Sequence, residues 1–190
     1  MTTRLASTPQ DAITLGILAG GQATRLGGRD KAWLERAGKP LVLALAGRLA
    51  PEVDAILVSA NRNPEKFLSH GLRPIQDRLA GIGPLGGIAA LAAACRTPWL
   101  LTVPVDVVDV NDCLLRSLRA AGPRGAWAED DDGPQPLVAL WPVGMLRTEA
   151  ATAAASGDFA VHALQARMGM APVRLSGLRF GNLNTPDDLA

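Results

Sequence analysis

Short apolar runs alternate with longer helix-like runs along the chain, and this alternation limits the fold to very few topologies. Ile13 to Leu18, Ala55 to Ala60 and Trp99 to Val103 read as buried strands, with Arg73 to Gln76 a briefer one. Between or after them, Pro40 to Leu49, Pro64 to His70, Ile88 to Ala94 and Val110 to Ala121 carry helical patterning. Successive parallel strands need a crossover, and helical crossovers bury their apolar stripe against the sheet. The reading is an α/β fold: a single-domain, doubly wound, Rossmann-like arrangement in which a mainly parallel sheet carries helices on both faces. The 190 residues suffice for one complete core, with no repeat or linker, so residues 1–12 read as a flexible polar tail and 13–190 as the domain.

The last third departs from the pattern. Gly125 to Glu129 and Pro136 to Trp141 are strand-like around Asp130 to Gly133, a return that would add an antiparallel element at the sheet edge. Asp130, Asp131 and Asp132 then read as a solvated turn, the alternative being a weak cation site. Helices are expected over Glu149 to Ala155 and Asp158 to Arg167, with short strands at Val173 to Leu175 and Phe180 to Leu183. Thr185 and Pro186 have the chemistry of an N-cap and first turn for a terminal helix.

Composition excludes several functions. A net charge of +1, without a block of Lys or Arg, leaves no surface to track nucleic-acid phosphates. The N-terminus has no apolar signal segment, and the most apolar stretch, Leu79 to Cys95, is interrupted by glycines and Pro84, so no membrane association and a cytoplasmic location are expected. Cys95 and Cys113 have no paired spacing and read as free thiols in apolar helix faces of a protein in a reducing compartment. His70 and His162 have no helical metal-binding partner, the four tryptophans read as packing, and no hydrolase motif is present.

In open parallel sheets, ligands collect at the carboxyl ends of the strands. Four features fall there: the glycine loop after Leu18, Ser59-Ala60-Asn61, Asp77, and Asp106. The loop, L-A-G-G-Q-A-T-R-L-G-G-R-D-K from Leu18 to Lys31, combines glycines with Arg25 and Lys31. Glycine lets a ligand approach the main chain, loop amides can form an anion nest, and the cations match phosphate oxygens. The string is neither a P-loop nor a dinucleotide fingerprint, so it reads as a polyphosphate site without either named motif, the alternative being an ordinary strand-to-helix turn with a surface Arg and Lys. Asp106, where a buried strand opens, either shares a Mg²⁺ with the phosphates or caps the loop before the next helix, with Asp109 a nearby competitor.

These residues resemble the molybdenum cofactor guanylyltransferases, the MobA-type proteins. The resemblance lies in Leu18 to Lys31, G-K-P-L at Gly38 to Leu41, S-A-N-R at Ser59 to Arg62, and Asp77. It continues in G-P-L-G-G at Gly83 to Gly87, V-P-V-D at Val103 to Asp106 and N-L-N-T-P-D-D-L at Asn182 to Leu189. It implies a nucleotidyltransferase that binds GTP and Mg²⁺ and transfers GMP to the phosphate of molybdopterin. Leu18, Ala19 and Gly20 match nucleotide-contacting backbone, and Gly21, Arg25 and Lys31 the phosphate loop. Asn61 and Asp77 would lie toward the guanosine, Asp106 would hold the metal, and Asn182 and Asn184 would face the pterin. A molybdenum-insertion protein and molybdoenzyme chaperones are the implied protein partners. Val105 and Val108 depart from the family, where cysteine and proline are frequent. The alternatives are a CTP-dependent pterin cytidylyltransferase or a sugar-1-phosphate nucleotidylyltransferase on the same fold, and a non-catalytic accessory protein that binds nucleotide and cofactor. Gly20 directly after Ala19, where cytidylyl relatives usually have a second alanine, favours GTP.

Overall fold

The computed structural model describes residues 9–20, 22–23, 29–77, 81–107, 109–111 and 113–181. Its frame is a seven-stranded sheet built from β1 (Ile13–Leu18), β2 (Ala55–Ser59), β3 (Arg73–Ile75), β4 (Trp99–Pro104), β5 (Ala126–Asp130), β6 (Gly133–Pro142) and β7 (Ala171–Arg174). Across the sheet the order is β7-β5-β6-β4-β1-β2-β3. All neighbours run parallel except β6, which is antiparallel to both β4 and β5. The antiparallel strand therefore lies inside the sheet, not at the edge expected for it; the edges are β7 and β3. Val138, Ala139, Leu140 and Trp141 explain the difference. All four are at most 1% exposed, and an unbroken apolar run of this kind needs cover on both faces and neighbours on both sides.

Among the described residues, six helices cover the sheet: α1 (Leu41–Leu49), α2 (Pro64–Ser69), α3 (Pro84–Ala94), α4 (Leu114–Ala120), α5 (Val143–Ser156) and α6 (Val161–Met168). In α1, Leu41, Val42, Leu45, Ala46 and Leu49 form the buried stripe that a helix of period 3.6 requires. Strand alternation divides the core in two. Ile13, Leu15, Ile17, Leu101 and Val103 pack with α1 and α4, while Leu100, Ala139 and Trp141 pack with α3, α5 and α6. Gly16 lies opposite α3: a Cβ there would come within 2.8 Å of Leu91 Cδ1, so this glycine lets the helix seat.

Several boundaries shift from the sequence reading. Helix α3 begins at Pro84, four residues before the expected Ile88, which draws Gly86 and Gly87 into the helix. Pro40 pairs in a two-residue ladder, Glu35–Arg36 with Lys39–Pro40, and precedes α1. Cys95 is buried as expected, but Cys113 is exposed just before α4, where its N–H donates to Asn111 Oδ1. Asp11 is tied to α4 by Arg119, whose guanidinium donates to its carboxylate and its carbonyl. Phe180 and Gly181 are not in a strand.

The acidic turn differs most. Asp130 is fully buried and accepts hydrogen bonds from the N–H groups of Asp132 and Phe180 at 3.0 and 2.8 Å and from Gln135 Nε2 at 3.2 Å. Burial alone would raise its pKa, but these donors together hold the carboxyl below the ordinary aspartate value. Asp131 takes Arg174 and the Gly177 N–H, and Asp132 pairs with Arg179. The three carboxylates thus fasten the β5–β6 turn to the segment after β7.

Candidate active site

A cleft of about 510 Å³ opens across the carboxyl ends of β1, β2, β3 and β4. Leu18, Gly20, Lys31, Ser59, Asn61, Asp77 and Asp106 line it, so the four strand-end features that are far apart in sequence meet in one place. Gly21, Arg25, Asn182 and Asn184 lie outside the described residues, as do Val108, Thr185 and Pro186.

Parallel pairing brings the groups together. Leu18 is opposite Ser59 on one side and Pro104 on the other, so the three strands end at one level. Their exits are cross-linked by the Ala19 N–H to the Ser59 carbonyl at 3.0 Å and the Val105 N–H to the Leu18 carbonyl at 3.1 Å. The Ala19 amide is therefore engaged within the sheet, and Gly20 is the residue after it that faces the cleft.

At the centre, Lys31 Nζ donates to Asp106 Oδ2 at 2.7 Å. Lys31 starts a single helical turn, Lys31–Trp33, whose N-cap Asp30 accepts from the Ala32 N–H, while Asp106 follows the end of β4. The two side chains are 14% and 19% exposed, so the pair is partly shielded yet reachable from the cleft. The arrangement supplies a cation for phosphate oxygens and a carboxylate for a hard divalent ion.

Towards β3, Asn61 and Asp77 bind each other reciprocally. Asn61 Nδ2 donates to Asp77 Oδ2 at 3.2 Å, and the Asp77 N–H donates to Asn61 Oδ1 at 2.9 Å. Ser59 Oγ, nearly buried, donates to the other carboxylate oxygen at 2.9 Å. Two bonds fix the Asp77 carboxylate plane and the third ties its backbone to Asn61, leaving an acceptor-only group that lines the cleft. Ser59 belongs to the site, although the sequence singled out its strand end and not its hydroxyl. Gly87, part of the G-P-L-G-G motif, was given no role by the sequence: a Cβ there would come within 2.6 Å of Ser59 Oγ, so glycine lets α3 close over that hydroxyl. Its sequence signal was the second glycine of Gly86-Gly87, hidden because the helix was expected to start only at Ile88. Gly81, Gly83 and Pro84 complete this wall ahead of the α3 N-terminus, where helix amides favour negative charge.

Among the described residues no three or more His, Cys, Asp or Glu side chains gather as a metal cluster. No helix among them is long and apolar enough to cross a membrane.

Known proteins resemble the chain in sequence and in fold. The model of the MobA-like NTP transferase domain matches residues 15–170. The chain is 41% identical over 180 residues to the molybdenum cofactor guanylyltransferase of Cereibacter sphaeroides, with 92% of each chain covered. To that of Pseudomonas aeruginosa it is 37% identical over 181 residues, covering 92% of this chain and 91% of the relative. The solved structure of molybdopterin-guanine dinucleotide biosynthesis protein A from Archaeoglobus fulgidus superposes with a TM-score of 0.72 at 24% identity, covering 93% of this chain and 94% of that one. A parallel sheet that opens on a Lys–Asp pair and a fixed carboxylate, together with likeness along almost the whole length, places the chain among the MobA-like nucleotidyltransferases, in the molybdenum cofactor guanylyltransferase family.

Proposed function

We propose that the chain transfers GMP from GTP to the terminal phosphate of molybdopterin and releases pyrophosphate. The observation that carries this reading is the division of one cleft into a fixed acceptor-only carboxylate at Asp77 and an ion-paired Lys31–Asp106 centre. Guanine presents adjacent N1–H and N2–H donors, which a carboxylate accepts together; cytosine places an acceptor beside its amine and meets the same oxygens with a lone pair. Asn61 and Ser59 hold that carboxylate in plane, and Gly20 leaves room for the nucleoside beside it, since a Cβ there would be 3.9 Å from Asp77 Oδ2.

An oxygen of the acceptor phosphate attacks the α-phosphorus of GTP. A new P–O bond forms, the bond from the α-phosphorus to the bridging oxygen breaks, and the electron pair departs with pyrophosphate. Lys31 neutralises negative charge growing on the phosphates, and Arg25 from the same loop is assigned the same task. A divalent ion suits Asp106: one partly exposed carboxylate with no further cluster among the described residues fits an ion that takes its other ligands from phosphates and water. Bound there, Mg²⁺ would offset phosphate charge and orient the triphosphate. Leu18, Ala19 and Gly20 are read as backbone that contacts the nucleotide, Gly21 as a phosphate-loop residue, and Asn182 and Asn184 as pterin contacts. Residues 13–190 are read as one catalytic unit.

The test is pyrophosphate release from GTP, CTP and UTP, each with and without molybdopterin. Release is expected only with GTP and acceptor together. Preference for CTP or UTP rejects the assignment, and tight GTP binding without turnover favours an accessory role.

A further inference from the structure

Strand β6 carries an irregularity whose cost in the core is evident. Its pairing with β5 runs from Gly133 to Gln135 and resumes at Ala139, so Pro136, Leu137 and Val138 have no counterparts there. Such a bulge takes carbonyls out of the ladder, and buried carbonyls need donors. Two buried polar side chains meet that need, and a third braces one of them. Thr102 of β4 donates from Oγ1 to the Leu137 carbonyl at 2.8 Å, with the Ala139 carbonyl at 3.4 Å. Trp141 Nε1 donates to Thr102 Oγ1 at 2.8 Å, and Gln165 Nε2 of α6 donates to the Pro136 carbonyl at 2.7 Å. Thr102 and Trp141 are 0% exposed and Gln165 is 2% exposed.

The outcome of this network is the placement of one side chain. Leu137 is the lining residue of the cleft contributed by β6. Ala139 is opposite Thr102 and the strands are antiparallel, so Leu137 falls towards the Pro104 end of β4, level with the other strand exits. Reading the sheet from β3 to β6, the cleft presents Asp77 and Asn61, then Lys31 and Asp106, then Leu137. With the base at the first position and the phosphates at the second, the group that receives the nucleotide lies at the third.

We infer that Leu137 is the apolar wall of the acceptor end of the cleft, and that Thr102, Trp141 and Gln165 are positioning residues that hold the β6 bulge so that Leu137 faces the acceptor's ring system. This rests on the reading under Proposed function and adds a residue that selects the acceptor without touching the nucleotide. A flat heterocycle gains from contact with a branched apolar side chain, while its phosphate points to the centre.

The test uses the full chain with GTP, Mg²⁺ and molybdopterin, measuring KM for each substrate and equilibrium GTP binding. Leu137→Ala removes three carbons and should raise the acceptor KM by roughly tenfold or more, since a single methylene in an apolar pocket is already worth about that, and leave GTP affinity within about twofold. Thr102→Val keeps shape and removes the hydroxyl, and should give the same split; Thr102→Ser keeps the donor and should restore the wild-type acceptor KM. Leu137 is only partly buried, so its variant reports even if Thr102→Val fails to fold. An unchanged acceptor KM in Leu137→Ala, or a parallel loss of GTP affinity, overturns the inference while the wild-type function stands. A wild-type chain that releases no pyrophosphate with molybdopterin removes the functional reading itself, and this inference falls with it.

Discussion

Lys31 and Asp106 satisfy each other at 2.7 Å, so each is the alternative partner of whatever the other binds. On the proposed reading, a triphosphate entering the cleft would draw the ammonium towards its oxygens and leave the carboxylate facing the phosphates, a position that would call for a cation. On this view Asp106→Asn keeps the volume and removes the charge. Turnover should fall by at least about a hundredfold, the scale of losing one preorganised electrostatic group. Because the pair is partly exposed, stability should drop by only about 1 kcal/mol or less. Steady-state rates and thermal unfolding of the same preparation check both; an Asp106→Asn variant that turns over at the wild-type rate removes the aspartate from the chemistry.

At the scale of elements, α3 and β2 are in contact through a hydroxyl and a missing Cβ. Gly87→Ala would place a methyl 2.6 Å from Ser59 Oγ and 3.3 Å from Leu18 Cδ2. The Ser59 side chain has to turn, and Asp77 loses the donor that fixes one of its oxygens. GTP affinity should fall roughly tenfold with little change in the rate at saturating nucleotide, as for a loss of ground-state binding. Placed in a Ser59→Ala background, the same substitution should cost distinctly less, because the clash and the hydrogen bond are one interaction. Additive effects in that cycle would show that α3 acts on the site by another route. Here the sequence pointed to the correct loop and misjudged its structure: glycine pairs ordinarily break helices, and only the nearness of Ser59 makes Gly87 worth its helical penalty.

Across the whole molecule, Asp130 joins the β5–β6 turn to Phe180, 50 residues on, and its ionisation is a property of the assembled fold. Burial opposes the charge, and the N–H groups of Phe180 and Asp132 with the Gln135 amide outweigh it, so the folded pKa lies below the unfolded one of about 3.9. A depressed carboxylate stabilises fully above the unfolded pKa and loses that contribution as pH falls through the folded value. Asp130→Asn should therefore cost about 1–3 kcal/mol at neutral pH by leaving buried donors poorly matched. The gap between wild type and variant should narrow as pH drops from about 4 through the depressed folded value. Denaturant unfolding at pH 7, 4 and 3 decides it, and a gap that is constant with pH would mean the carboxylate's charge is not what holds the turn.

What could be read from residues alone was whatever depends on neighbours in sequence. The apolar run Ile13–Leu18, the glycine loop behind it and the carboxylates at Asp77 and Asp106 follow from local patterning, and parallel topology then forces strand ends into one rim. What needed the tertiary structure depends on groups brought together from afar. An Asp-Asp-Asp turn reads as solvated, as it is at Asp131 and Asp132, but Asp130 is buried once the Phe180 N–H arrives to bind it, and β6 reads as an edge until β4 and β5 claim its two sides. The role of Gly87 exists only where Ser59 presses against it, and Leu137 lines the cleft from a bulge whose carbonyls, its own and that of Pro136, are taken by Thr102 and Gln165. Periodicity encodes which face of an element is buried; which partner fills that face, and which polar group it must satisfy, is settled by packing.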